Sequence, residues 1–479
     1  MLFSSIAFIY FFLPISLLVY FITPSKYKNL SLLLISLVFF YLSDVRYFYI
    51  VFYISFLAYI FGRLLEKKRS TYILILGLIL QLMVLLYFKY FTILVEFFGL
   101  DFSVDRMILP LGISFYTFKS LSYTVDIYRE KYKSEKNPID FLLYMTYYPS
   151  LVSGPIIRFD DFKPYLNSKD ISSNNIYYGI KRFILGLGKK VILANNLEKL
   201  MEYGHLENSS LMSWLMVISF SLQLYFDFSG YSDMALGLSS IMGIKLRENF
   251  NYPFSAKSLA DFWRRWHISL GSWFRDYIYI PLGGNRVSRP RWAFNILLVW
   301  TLTGLWHGSS SNYIFWGLFI FMGLIVEKIL EGRGLDRFSN FSRNLLTCFF
   351  ILISFNFFYS KNMTEAWLNL RNMFFIGQVP KWGPISSYQV KNNILLLGLS
   401  LILSREFLIK LIEKCRKNTI FDMTYSFLLF LILLLILYVS TMIMVNDSFN
   451  PFLYIKFWGG LWEKKRQRLK TQYLLLYLP

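Results

Sequence analysis

Apolar residues fall in long unbroken blocks along this chain, with short polar connections between them. Blocks at 2–22, 72–98, 107–127, 211–228, 313–329 and 421–444 are long enough to cross a hydrocarbon layer as helices. The block at 30–42 is shorter and needs tilt or local bilayer thinning, and those at 47–61, 345–358 and 394–403 supply further helices. The apolar positions are continuous rather than alternating, which predicts helices and not barrel strands. The expectation is an all-α polytopic membrane protein of roughly 11 transmembrane helices. The first block lacks a basic leader and a small-residue cleavage site, so it reads as a retained helix.

The middle of the chain departs from a simple bundle. The block at 141–152 is short and stops at Ser153-Gly154-Pro155. The segment 177–194 is amphipathic, with Lys181, Arg182, Lys189 and Lys190 on its polar side, and 231–242 is rich in small residues around Asp233. Interrupted segments are tolerated at depth only where protein or a cavity covers them, so re-entrant and interfacial helices around a central funnel are expected here. Positions 258–277 predict one amphipathic helix. Leu259, Phe262, Trp263, Trp266, Leu270, Trp273, Phe274 and Tyr277 form its apolar stripe, and Ser258 with Asp261 forms a capping box. Arg264, Arg265 and Arg275 take the opposite face.

The run 292–306 then leads into Trp306-His307-Gly308. Fifteen residues make roughly 22 Å of helix, short of the roughly 30 Å hydrocarbon core, so His307 falls within the bilayer zone. An ionisable side chain at that depth is a functional candidate by default.

Charge narrows the picture. The chain is 56% hydrophobic, 20% aromatic and only 16% charged, yet carries a formal charge of +21. The lysines and arginines cluster between apolar blocks, at 24–28, 63–70 and 129–137, which are alternate connections. That is the pattern of cytoplasmic loops with an outward N-terminus, and it argues against a nucleic-acid partner. Cys348 and Cys415 lie in or beside apolar segments as inert thiols, and no Cys/His cluster has zinc spacing.

Several ordered blocks resemble one family. They are Leu109-Pro-Leu-Gly-Ile-Ser-Phe-Tyr-Thr-Phe118 with Asp126-Ile-Tyr-Arg129, Tyr148-Pro-Ser-Leu-Val-Ser-Gly-Pro-Ile-Ile-Arg158, and Asp227-Phe-Ser-Gly-Tyr-Ser-Asp-Met-Ala235. Asn251-Tyr-Pro-Phe254, Asp261-Phe-Trp-Arg-Arg-Trp-His-Ile-Ser-Leu-Gly271 and Trp273–Arg286 follow, then Thr303-Gly-Leu-Trp-His-Gly308 and Asn450-Pro-Phe-Leu-Tyr-Ile-Lys-Phe457. Together they are similar to the membrane-bound O-acyltransferase superfamily, in the branch typified by the membrane subunit of bacterial alginate O-acetylation. The resemblance spans 1–457, with core motifs at about 105–330. Tyr359 stands where relatives carry an arginine, and the basic tail 458–479 runs past the usual end.

The resemblance implies an O-acetyltransferase of the bacterial cell membrane. It would pass an acetyl group from cytosolic acetyl-CoA toward an extracytoplasmic polysaccharide, with an extracytoplasmic SGNH-type O-acetyltransferase or similar protein as partner and no bound cofactor. It places the catalytic histidine at His307 and a second family histidine at His267. Chemistry agrees, since acyl transfer to a hydroxyl needs a base, and an imidazole suits the task. Whether His267 takes part in proton transfer or positions the donor is open. Arg264, Arg265 and Arg275, with Asn249 at the head of the same motif stretch, are candidates for the phosphates of a nucleotide thioester, and lipid headgroups are the alternative ligand for the arginines. Asp227, Asp233 and Trp306 are candidates for lining the pocket or orienting a histidine. Peptidoglycan O-acetylation and D-alanyl transfer to teichoic acid are the alternatives within the superfamily. A polysaccharide exporter with a histidine proton relay is the alternative outside it, though no internal repeat supports that reading.

Overall fold

The computed structural model describes residues 1–97, 109–152, 154–308, 310–331, 333–334 and 337–446. The loop expected at 101–106, the head of the 107–127 block, the motif at 450–457 and the basic tail 458–479 lie outside the described residues. Among the described residues every regular element is a helix. The chain forms two compact units, Met1–Lys169 and Asp170–Ser448.

The first unit holds α1 (Leu13–Ile22), which continues a π-helical turn at Ala7–Phe12, then α2 (Lys28–Ser43), α3 (Phe48–Lys67), α4 (Thr71–Phe97), α5 (Ile113–Tyr128), α6 (Pro138–Thr146), α7 (Tyr148–Leu151) and α8 (Phe159–Asn167). The Leu109–Phe118 and Tyr148–Arg158 motifs meet through the residue that follows the first of them. Lys119 is fully buried and donates to the Ser150 hydroxyl at 2.8 Å and the Tyr144 carbonyl at 3.1 Å. Lys131 closes the end of α5 by pairing with Asp126 at 3.5 Å and Asp160 at 2.5 Å.

The second unit contains α9 (Ser173–Gly188), α10 (Asn195–Met201), α11 (Ser210–Ile241), α12 (Leu259–Arg265), α13 (Ile268–Phe274), α14 (Arg289–His307), α15 (Ser311–Leu330), α16 (Asn340–Tyr359), α17 (Met363–Met373), α18 (Pro384–Asn392), α19 (Ile394–Leu403), α20 (Phe407–Cys415) and α21 (Thr419–Asn446). The two blocks read as separate at 211–228 and 231–242 are one helix, α11, of 32 residues. Gly230 does not break it. A Cβ there would stand 2.7 Å from the Gly186 carbonyl, and one on Gly237 would stand 2.6 Å from the Gly179 carbonyl. The glycines repeat at seven-residue spacing on both helices and bring the antiparallel backbones of α9 and α11 into contact, as small residues do inside membranes. α11 is buried on all sides, Asp227 and Asp233 included, so it is the central post of this unit. α21 is mostly exposed and presents its apolar side chains outward.

Among the described residues six helices are long and apolar enough to cross a membrane, namely α3, α4, α11, α15, α16 and α21. Roughly 11 were expected, and the difference has local causes. The first block is divided between the π turn and a short α1, α2 and α5 are 16 residues each, and α19 has ten. The expectation of one helix over 258–277 fails outright, because His267 adopts φ +44° and breaks it into α12 and α13, with a π-helical turn at Arg275–Tyr279 beyond. Lys190, expected on a polar face, is buried at 1% exposure in a π-helical turn, Lys189–Ala194, that follows α9.

Within this unit the strongly basic connections share one end. They follow α11 (Lys245, Arg247, Lys257), lead into and begin α14 (Arg286, Arg289, Arg291), and join α15 to α16 and α19 to α21. α14 runs away from that end. His307, its last residue, lies roughly 27 Å along the axis from Arg289 at 1.5 Å per residue.

Candidate active site

The turn bearing His307 is fixed by close helix packing. A Cβ on Gly304 would meet the Tyr313 carbonyl at 2.4 Å, and one on Gly317 would meet the Trp300 carbonyl at the same distance. α14 and α15 therefore touch backbone to backbone. The glycine in Thr303-Gly-Leu-Trp-His-Gly308 serves that contact rather than flexibility. Asn312 donates from its side-chain amide to the Ser360 carbonyl at 2.6 Å and ties the turn to the end of α16. This packing surrounds the half-buried His307 imidazole with aromatic rings. The Trp306, Phe358 and Trp316 ring centroids lie 4.6, 5.0 and 5.2 Å away, all edge-on.

Trp306 also neighbours His267, with ring centroids 6.3 Å apart. One indole thus touches both imidazoles. His267 is 3% exposed, edge-on to Phe228 at 4.6 Å, with Phe250 stacked beyond at 6.4 Å. Its left-handed backbone costs roughly 1–2 kcal/mol for a side-chain-bearing residue and needs bracing. The segment at 249–251 provides it, since Asn251 N–H donates to the Arg265 carbonyl and the Asn249 carbonyl accepts from Ile268 N–H, each at 2.9 Å. Strain held in place by its surroundings is a recurring mark of functional positions.

The remaining candidates sort by environment. Asn249, expected on the donor side, is buried and hydrogen-bonded to His267 Nδ1 at 3.2 Å. Asp227 pairs with Lys190 at 2.5 Å, both fully buried. Asp233 pairs with Arg182 and with Lys189, each at 2.7 Å, and Arg182 reaches on to Glu248 at 2.5 Å. The α9–α11 crossing produces these pairs. Lys190 follows Gly186 by four residues and Asp227 precedes Gly230 by three, so an antiparallel contact at the glycines sets them face to face. Ser258 caps α12 by accepting from Asp261 N–H at 3.0 Å. The Asp261 carboxylate meanwhile pairs with Arg265 at 3.1 Å, and Arg265 also reaches Glu406 at 3.8 Å. Arg264 and Arg275 keep exposed side chains, with Asp261 and Asp276 as their respective neighbours. Glu327, near the basic end of α15, accepts from Leu259 N–H and Ala260 N–H and anchors α12 there.

Sequence reasoning missed Lys190, Trp316, Phe358 and the bracing segment. The seven-residue glycine spacing shared by 179/186 and 230/237 was the available signal for Lys190. Trp316 and Phe358 carry none, because they reach His307 only through tertiary packing.

Acyl transfer to a hydroxyl needs a proton acceptor and a site kept from water, and imidazoles packed among aromatic rings are groups of that kind. The chain is an acyltransferase of this class, and it belongs to the membrane-bound O-acyltransferase family, whose model matches residues 128–370. It is 38% identical over 392 residues to the "Probable alginate O-acetylase AlgI" of Pseudomonas aeruginosa, covering 79% of this chain and 75% of that one. It is 34% identical over 421 residues to the peptidoglycan O-acetyltransferase of Helicobacter pylori, covering 78% and 80%. A teichoic acid D-alanyltransferase of Bacillus subtilis is 35% identical over 231 residues, covering 45% of this chain and 58% of that protein.

Proposed function

We propose that this chain passes an acetyl group from cytosolic acetyl-CoA across the bacterial cell membrane for the O-acetylation of an extracytoplasmic polysaccharide. The observation that carries the reading is the placement of His307 at the end of α14 opposite the arginines, with His267 also beside Trp306. The basic end faces the cytoplasm by the positive-inside rule. There the phosphates of the donor meet the exposed Arg264 and Arg275, while its long pantetheine arm delivers the thioester into the aromatic pocket. The acceptor reaches the pocket from the opposite end. His307 takes the proton of the attacking hydroxyl as the oxygen forms its bond to the acyl carbon. The C–S bond of the thioester then breaks, and the proton held by His307 passes to the departing thiolate, which leaves toward the cytoplasm as the free thiol and returns the imidazole to its neutral form. Edge-on rings keep water away from the thioester, and in that dry setting nearby dipoles act strongly on the developing oxyanion.

Asp227 and Asp233 build the frame on this reading, and Trp306 spaces the two histidines. An extracytoplasmic O-acetyltransferase of the SGNH type receives the acetyl group and completes its transfer to the polymer. Residues 1–457 act as one membrane domain. Mass spectrometry of base-released acetate from wall and exopolysaccharide fractions tests this in a deletion strain. Loss of acetate from a polysaccharide, restored by the intact gene, is expected. Unchanged acetate in every fraction, or loss of D-alanine instead, overturns it.

A further inference from the structure

Three hydrogen bonds converge on one oxygen beside His267. The Asn249 side-chain carbonyl accepts from Ser269 N–H at 3.2 Å and from the Ser269 hydroxyl at 2.9 Å, and it faces His267 Nδ1 at 3.2 Å. The amide nitrogen donates to the Ser232 hydroxyl at 3.1 Å. This orientation of the amide is dictated by the backbone. Ser269 N–H can only donate, so the Asn249 atom that faces it must be the oxygen. That oxygen has no hydrogen to give, so the neighbouring Nδ1 must carry one. A neutral imidazole protonated on Nδ1 has a bare lone pair on Nε2. His267 Nε2 is buried and meets no hydrogen-bond partner among the described residues.

We propose that Asn249 is a positioning residue that locks His267 in its Nδ1–H tautomer and so presents Nε2 as a pure hydrogen-bond acceptor for an O–H of the acetyl-accepting substrate other than the one His307 deprotonates. This rests on the acyl-transfer reading above and sharpens it. An acceptor-only Nε2 cannot donate to the thioester carbonyl or to the oxyanion. It can hold an O–H. That places His267 on the hydroxyl side of the reaction, beside His307, and takes it away from donor binding. The bracing explains why the residue is held so firmly. The backbone contacts at Ile268 and Asn251 fix the left-handed turn, and the Asn249 side chain fixes the rotation and protonation of the ring within it.

The chain has three histidines, so nitrogen NMR of 15N-histidine-labelled full-length protein in lipid nanodiscs resolves few imidazoles, and a His267→Asn variant assigns the one of interest. At neutral pH the His267 signal is expected to show a protonated Nδ1 and an unprotonated Nε2. Asn249→Leu should release it toward the Nε2–H form that histidine prefers in water. Asn249→Asp keeps an acceptor oxygen in place and should retain the native tautomer. It also sets a carboxylate beside the ring, which should move the acidic limb of acetyl transfer up by about one pH unit or more. Native His267 protonated on Nε2, an unchanged tautomer in a folded Asn249→Leu variant, or a pH profile identical between Asn249→Asp and the native protein overturns the proposal. The tautomer is read without substrate. A native tautomer as expected in a protein that transfers no acetyl group would sink the acyl-transfer reading, and with it the substrate contact, and leave only the Asn249 tautomer lock standing.

Discussion

Neutralising one member of the Lys190–Asp227 pair should unfold this protein before it slows it. Both side chains are fully buried and in contact at 2.5 Å, at the crossing of the π turn after α9 with α11. Lys190→Met removes the ion-pair partner of a fully buried carboxylate, and breaking a buried pair in this way costs about 3–5 kcal/mol. Total stabilities are of order 5–15 kcal/mol, so a single variant loses a large share of the whole. The paired change Lys190→Met with Asp227→Leu removes both charges together and should recover most of that loss, since well-packed apolar replacements of buried pairs are often neutral. Thermal melting of purified protein in nanodiscs measures the stability, and polysaccharide acetate in cells at matched membrane abundance measures function. The reasoning requires both single variants to melt early and the double variant to melt near the native temperature and retain acetyl transfer. A double variant that is stable but inactive would refute it and return Asp227 to the reaction itself.

Other consequences are as direct. Gly186→Val drives side-chain atoms into the Gly230 carbonyl and the Met234 amide, which stand 2.5 and 2.8 Å from an added Cβ, and should cost at least about 1–3 kcal/mol, read as a lower melting temperature. Arg264→Ala should raise KM for acetyl-CoA by about three- to tenfold at unchanged kcat in membrane assays, because its exposed guanidinium offers a charge contact and little packing. Glu207 gives the connection before α11 an acid sensitivity. Burial alone would raise its carboxyl, but hydrogen bonds from the Ser209 hydroxyl, from Ser386 and from Ile385 N–H hold it below the ordinary value of 4.5. Its stabilising contribution is therefore complete above the unfolded value and fades as pH falls through the lower folded one. Proteolysis of the α17–α18 region should accelerate in the native protein over that acid range, and Glu207→Gln should show the faster rate already at neutral pH.

How far the sequence carried this picture depended on which forces decide each feature. Hydropathy and helix length act locally, so α3, α4, α15 and α21 were legible, and so was the end of a helix at His307. The α11 helix was not, because Ser229-Gly230 looks like a break until a second helix closes on it. The kink at His267 was hidden by an apolar stripe that continues with good helical spacing on both sides of it. Only the tertiary bracing from 249–251 turns that stripe into two helices. For the same reason Asn249 read as a candidate for donor binding, while its partners within the fold are His267, Ser269 and Ser232. The charged residues of 177–194 looked like a solvated face because amphipathicity reports polarity and not partners. The facing aspartates lie some 40–50 positions later on α11.

The most direct test of the account is His307→Ala in cells, at membrane abundance equal to the native protein, with base-released acetate from the extracytoplasmic polysaccharide as the readout. Loss of the proton acceptor should lower acetyl transfer by about 10²–10⁴-fold while the protein melts near its native temperature, because His307 is a half-buried helix-terminal side chain and not part of the packed core. Acetate at the native level in that strain would contradict the central claim.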